Sequence, residues 1–198
     1  VTEYCPWLTN LSVADMPKSI DTLITTRRTI HNFRPEPAPV EILVEGLQAA
    51  CWAPNHHRNE PWHFYLPGPE TREAICLLNA EQVAESKGEK AGRIKLERWR
   101  SMPGWLVVTS QQSEDPVRER ENYAACCCVM QNLFLFLWDR GIGMKWSTGE
   151  VTRDPRFFGL LNADRDREQV VGLFWYGYPA GIPRMERCPV TDSLTELP

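Results

Sequence analysis

The residues of this chain best suited to chemistry begin with one stretch, Arg27-Arg28-Thr29-Ile30-His31-Asn32-Phe33. Two guanidiniums, a hydroxyl and an imidazole within five residues make a patch that receives anions, because the rigid donor fork of arginine matches phosphate oxygens. Taken alone, a charged pair at a helix end is a solvated face, so the patch gains meaning only from what lies downstream. A second concentration is the loop Ala53-Pro54-Asn55-His56-His57-Arg58-Asn59-Glu60-Pro61-Trp62, crowded with hydrogen-bonding side chains. Its adjacent histidines invite a metal, yet no carboxylate or cysteine stands at ligand spacing from them, so no metal site is expected. Seven cysteines include no C-x-x-C pair, which leaves neither zinc-ribbon nor redox-motif spacing. Cys126, Cys127 and Cys128 are consecutive on a helical stretch, must point to different faces, and read as small buried hydrophobes. A reduced, cytoplasmic setting follows as the expectation.

These residues must be held by elements that the pattern of apolar residues outlines. A helix is expected over Lys18 to Thr26, with Leu23 and Ile24 facing inward and Pro17 near its first turn. Pro35, Pro37 and Pro39 then force an extended connection. A second helix runs from Val40 to Trp52, with Ile42, Leu43, Leu47 and Ala50 at helical spacing and Pro54 ending it. The loop delivers the chain into a strand, Trp62 to Leu66, broken by Pro67-Gly68-Pro69. Helical segments follow at Glu70 to Asn79 and Glu81 to Arg100, the second so charged that it reads as a mobile solvated helix or lid. Trp105 to Thr109 is apolar and β-branched enough for a central strand. The longest helix is expected from Asp115 to Asp139, with Pro116 in its first turn and Gly141 and Gly143 terminating it. Met144 to Gly149 reads as a strand running into a loop, Asp154-Pro155 opens a short helix to Leu161, and Val170 to Tyr178 is a last strand.

At 198 residues the chain suits one domain, here 17–198, preceded by an arm over 1–16 that shows no clean period. Strands alternating with helices indicate a mixed α+β or α/β sheet covered by helices. The formal net charge of -4 offers no basic excess, so nucleic acid is excluded as a general partner. Val1 to Ile20 lacks the basic start and apolar run of a signal peptide. The longest apolar block, Tyr123 to Trp138, carries Gln131 and Asn132 and suits a buried core helix rather than a membrane span.

Four separated segments together resemble the FMN-dependent nitroreductase superfamily. They are the Arg27-Arg28-Thr29 stretch to Phe33, Ala53-Pro54 through Glu60-Pro61-Trp62-His63-Phe64, Glu121-Asn122-Tyr123-Ala124-Ala125 through Gln131-Asn132-Leu133, and Gly141-x-Gly143-x-x-Trp146-Ser147-Thr148-Gly149. Order and spacing match from about residue 18 to residue 190, and the Pro-x-His loop looks like the compact bacterial NAD(P)H nitroreductase branch. The resemblance implies an α+β fold with a mostly antiparallel sheet, in an interlocked homodimer with FMN at the subunit interface. It implies that Arg27, Arg28 and Thr29 hold the FMN phosphate and ribityl chain, with Arg187 closing the phosphate site. His31 falls where many relatives place a lysine at the flavin N1 and O2 edge, and acts there either protonated or as a neutral donor. Asn55 and His56 align with positions that reach the flavin from the partner subunit, although relatives more often carry small serines there. His57 and Arg58 could line the substrate mouth. Trp146, Ser147, Thr148 and Gly149 would lie along the isoalloxazine ring, their backbone N–H groups near N5 and O4.

The activity so implied is reduction of a nitroaromatic, quinone or similar planar acceptor at the expense of NAD(P)H, in alternating half-reactions. The cofactor supplies the chemistry, so no catalytic acid or base is expected among the side chains. Two rivals share the scaffold: a biosynthetic or catabolic flavin-dependent dehydrogenase or reductase, and a non-catalytic flavin-binding protein.

Overall fold

Two strands that read as nearly continuous apolar runs set the architecture. β2 (Gly104–Gln111) and β4 (Glu168–Gly177) pair antiparallel at the centre of a four-stranded sheet of order β1-β2-β4-β3. β1 (Trp62–Tyr65) lies outside β2 and β3 (Gly143–Ser147) outside β4, both antiparallel. The expected α+β class and antiparallel sheet are thus what the chain adopts. In the computed structural model residues 19–198 are described; the arm over 1–16 and the residues Pro17 and Lys18 lie outside them.

Both faces of the sheet are covered, which is why its central strands lack polar alternation. On one face Leu106, Val108, Met144, Phe174 and Tyr176 pack under α2 (Val40–Ala50) and α5 (Pro116–Asp139). On the other, Trp105, Val107, Leu173 and Trp175 pack under α3 (Pro69–Lys87), α4 (Glu89–Arg100) and α6 (Pro155–Leu161). α5 starts where expected: Pro116 occupies its first turn, and Asp115 Oδ1 accepts from the Val117 N–H at 2.9 Å. Its buried stripe, Asn122, Ala125, Cys126, Val129, Met130, Leu133, Leu137, has the three- and four-residue steps of one helix face.

Several sequence expectations need correction. The break in the charged helical region falls at Gly88, which adopts φ 87 between α3 and α4, and not at Ala80. α4 is not a solvated lid. Gly92 sits where a Cβ would come within 2.7 Å of the Ala80 carbonyl oxygen, so the two helices are in backbone contact. Trp99 is buried edge-on against Trp105 and Trp175, and most of the charges lie on the outer face, with Lys95 half-buried beside Trp99. In α1 (Ile20–Thr26) Leu23 is half-buried, but Ile24 is 53% exposed. Of the three consecutive cysteines only Cys126 is fully buried, since the others lie off the core-facing stripe.

Beyond the edge strand β3 the arginine stretch is fastened to the sheet. Thr29 forms an isolated parallel bridge with Met144, and the Ile30 N–H donates to the Met144 carbonyl at 3.0 Å. The Ile30 side chain is fully buried over Gly143, where an added Cβ would stand 2.3 Å from Ile30 Cγ1. Phe33 bridges Pro179, with the Arg34 N–H donating to the Tyr178 carbonyl at 2.8 Å. The chain leaving β4 therefore runs beside this stretch.

Where the β2–β4 register shifts between Val108 and Thr109, with Val171 of β4 the extra residue, the buried Thr109 hydroxyl donates to the Glu168 carboxylate, which also accepts from the Tyr65 hydroxyl at 2.9 and 3.0 Å. Burial first, and then the bonded carboxylate, push the Tyr65 phenol up to about 12. A raised folded-state value means that the contribution to stability is complete below the ordinary phenol value near 10 and fades as pH rises through about 12. Burial raises Tyr123 and Tyr176 as well, so ultraviolet titration of phenolate should show several tyrosines ionising late, and Tyr65→Phe should remove the component that ionises at about 12. Separately, Gly143→Ala should force Ile30 outward and cost about 1–3 kcal/mol, read as a lowered denaturation midpoint.

Candidate functional site

Where the arginine stretch crosses the edge of β3, a cleft of about 160 Å³ opens between Arg27, Thr29, Cys127, Gln131, Phe134 and Trp146. Three elements build it. The extended stretch supplies Arg27 and Thr29, β3 supplies Trp146, and α5 supplies Cys127, Gln131 and Phe134, spaced by four and then three residues along one helix face. Trp146 is locked in place: its indole N–H donates to the Val171 carbonyl at 2.9 Å and its ring packs on Phe174 at 5.1 Å between centroids. Gly172 provides the room, since a Cβ there would fall 2.2 Å from Trp146 Nε1.

The electrostatics of the cleft are one-sided. The Arg27 guanidinium is half-buried, 5.5 Å from the centroid of the Phe134 ring. Burial draws its proton affinity below the usual arginine value, and repulsion from Arg187 and then Arg28 draws it further in the same direction. It keeps its proton regardless. Among the described residues it has no acidic partner, so a desolvated cation stands among cations, which is a demand for an anion.

The two arginines divide their work. Arg28 Nη1 donates to the carbonyls of Thr25 at 2.8 Å and Arg27 at 2.9 Å, satisfying the end of α1 instead of lining the cleft. Arg187 lies in the exposed C-terminal segment, close enough to Arg27 for their charges to interact. Past Trp146, Ser147 is half-buried and Thr148 exposed; the Thr148 carbonyl accepts from Arg153 at 3.1 Å. The Gly149 carbonyl accepts from the N–H and hydroxyl of Thr152, while its own N–H donates to no described residue. His31 is exposed, and its pKa is lowered by burial first and then by Lys145 and Arg98. Of the two states open to it, the neutral imidazole is therefore favoured at neutral pH.

The second loop stands apart from this cleft within one chain. Asn55 is engaged internally: its Nδ2 donates to Asn59 Oδ1 at 3.1 Å and its Oδ1 accepts from the Glu60 N–H at 2.9 Å. Asn59 Nδ2 reaches Asn122 Oδ1 at 3.0 Å, and Asn122 Nδ2 donates to the Gln111 carbonyl at 3.1 Å. This chain of amides holds Arg58 and Glu60 in left-handed backbone conformations, φ 52 and 47. It presents His56, His57 and Arg58 to solvent. Sequence spacing missed the carboxylate that meets them: Glu121 of α5 contacts His57 Nε2 at 3.1 Å, and ligand-type atoms of His56, His57 and Glu121 lie within 4.8 Å of one another. It also missed Cys127, Gln131 and Phe134, whose signal was the four-then-three spacing on α5.

With fold and cleft established, comparison places the chain among α+β proteins of the nitroreductase-like fold. A family model described as the Nitroreductase family matches residues 24–178, and the chain belongs to that family. It is 31% identical over 183 residues to YfhC of Bacillus subtilis, provisionally named an NAD(P)H nitroreductase, covering 88% of this chain and 92% of that one. A solved nitroreductase-like family protein from Bacillus cereus superposes with a TM-score of 0.81 at 30% identity, covering 92% and 97% of the two chains. A Desulfovibrio desulfuricans structure, solved in complex with FMN, shares the fold at TM-score 0.72 and 20% identity over 92% and 99% of the chains. Among the described residues no helix is long and apolar enough to cross a membrane.

Asn122→Ala leaves buried donors and acceptors unpaired and should cost about 1–3 kcal/mol. Hydrogen exchange should quicken over residues 55–60 while the Arg27 cleft keeps its protection.

Proposed function

We propose that this chain is an FMN-dependent oxidoreductase that draws hydride from NAD(P)H and reduces nitroaromatic, quinone or similar planar acceptors. The observation that carries the reading is the Arg27 cleft: a desolvated guanidinium without an acid, a hydroxyl and a fixed indole, with an unengaged backbone donor at Gly149, three residues past Trp146. This donor set fits a phosphate at one end and a flat, polar-edged ring at the other. Membership of the Nitroreductase family and the FMN-bound fold neighbour support it.

Bound FMN would supply the hydride-carrying chemistry. The chain's residues bind and orient. Arg27, with Arg187 and Thr29, neutralises the phosphate; Arg28 holds the turn that aims Arg27. Trp146, Ser147, Thr148 and Gly149 line the ring, and the Gly149 N–H offers a fixed dipole toward its polar edge. Neutral His31 donates one hydrogen bond at the opposite edge. No side chain is required as acid or base.

A volume of about 160 Å³ is too small for a whole flavin nucleotide, since ligand sites run from about 300 Å³ upward. The site is therefore read as half of a composite one, completed in a homodimer in which Asn55 and His56 come from the partner, with His57 and Arg58 at the substrate mouth. The domain assignment, 17–198 with an arm over 1–16, belongs to the same proposal.

Purified protein should be yellow, release flavin on denaturation, bleach with NAD(P)H and recover with a nitroaromatic acceptor. Arg27→Ala should weaken FMN binding about tenfold or more, the loss expected of a charge-assisted contact, while shifting the unfolding midpoint far less. Protein that stays colourless with added FMN overturns the reading. Stable flavin without turnover under several donors and acceptors would point instead to a flavin-binding protein, and bleaching by an organic metabolite alone to a dehydrogenase.

A further inference from the structure

Next to the cleft, around the edge of β3, a second set of cations lies on the opposite face of the sheet. Lys145 stands between Met144 and Trp146 in β3, so its side chain points away from theirs. Its register partner is Trp175, and Lys145 Nζ lies 5.0 Å from the centroid of that ring. The Trp175 ring meets Trp99 edge-on at 5.0 Å, and Lys95 Nζ of α4 lies 5.7 Å from Trp99. Arg98, also on α4, acts electrostatically on both Lys145 and His31. His31 follows the cleft residue Thr29 by two positions, so the stretch that borders the cleft continues toward the cluster.

Three features separate the cluster from an ordinary solvated face. Lys145 and Lys95 are half-buried, and burial is the first cause lowering the proton affinity of each, followed by neighbouring cations. Among the described residues, no acid pairs with Lys145, Lys95, Arg98 or His31, although the exposed arginines Arg100 and Arg156 nearby in the fold each hold carboxylates. The indole N–H of Trp175, a residue 2% exposed, is a buried donor with no partner. Desolvating two like charges, Lys145 and Lys95, against indole rings is costly, and an anion arriving between them removes that cost.

We propose that Lys145, Lys95 and Arg98, with His31 at the rim, form a subsite for the phosphate or carboxylate group of a small ligand bound beside the flavin cleft. The subsite selects among hydride donors or acceptors by charge. It rests on the flavin reading only for the identity of its neighbour. A phosphate would come from the 2′-phosphate of NADPH, a carboxylate from an acidic aromatic acceptor.

The test is calorimetric titration of the purified full-length protein at low salt. Probes are 2′,5′-ADP against adenosine for the phosphate, and 4-nitrobenzoate against 4-nitrobenzamide for the carboxylate. Wild type should bind one of the charged probes about tenfold or more tightly than its neutral counterpart, as a charge-assisted contact provides. Lys145→Met and Lys95→Met, which keep the apolar stems, should erase the preference, and Lys145→Arg should retain it. The probe that shows the preference identifies the source. Equal binding of charged and neutral probes overturns the subsite, as does a preference that survives Lys145→Met or disappears instead in Arg27→Ala. Flavin content, measured in parallel, keeps the two readings apart: colourless protein with an intact charge preference defeats only the flavin reading, and flavin-replete protein without it defeats only this subsite.

Discussion

The site depends on one junction, the seating of Ile30 on Gly143 at the edge of the sheet. Arginine side chains are long and mobile, and fixing one costs entropy that a lone surface contact does not return. Here the backbone on either side is fixed instead. The Ile30 N–H is tied to Met144, its side chain fills the space that the missing Cβ of Gly143 leaves, and Phe33 and Arg34 are paired to the chain leaving β4. With the backbone held, Arg27 on one side of Ile30 faces the cleft and His31 on the other reaches the Lys145 cluster. A single buried isoleucine thereby sets the positions of a guanidinium and an imidazole that face different surroundings.

The same edge explains why the two cationic sites are neighbours. Successive residues of a strand point to opposite faces, so Trp146 lines the cleft while Lys145 lies against Trp175 beyond it. The sheet between them is thin and apolar, and each face is sealed by its own helices. α5 furnishes the wall of the cleft with the residues just off its core-facing stripe, which is why Cys127 is half-buried where Cys126 is not. α4, docked through Gly92 and Trp99, carries Lys95 and Arg98 on its remaining surface. Charge on that helix is therefore compatible with a firmly packed position.

Much of this was legible in the sequence. The strands and α5 were marked by long apolar runs, by Pro116 and by the glycines at 141 and 143, because such signals depend on neighbours within a few residues. Motif order also placed the chain in its family; of the four segments that carried the resemblance, the fold brings three, the arginine stretch, α5 and the β3 segment, around the cleft, while the loop before β1 belongs to the opposite edge of the sheet. Residue type alone left Arg27 as half of a solvated pair, and only the resemblance gave it an anion to hold. What the residue pattern could not provide was the helix break at Gly88, since Ala80 and Gly88 are both plausible interruptions until Gly92 is seen against the Ala80 carbonyl.

Tertiary structure alone decided how equivalent-looking side chains differ. Arg27 and Arg28 are adjacent and chemically identical, yet one is desolvated in the cleft and the other spends its donors on the end of α1. His57 and Glu121 are 64 positions apart and meet only because β1 and α5 are packed together. Lys145 reads in the sequence as a lone charge in a short strand; the pairing of β3 with β4 and the docking of α4 surround it with Trp175, Lys95 and Arg98. Residue type fixes what a group can bind, and short-range pattern fixes the element that carries it. Desolvation and the sign of the neighbouring charges come from contacts between elements distant in the chain, and these determine which group has an unmet need for a partner.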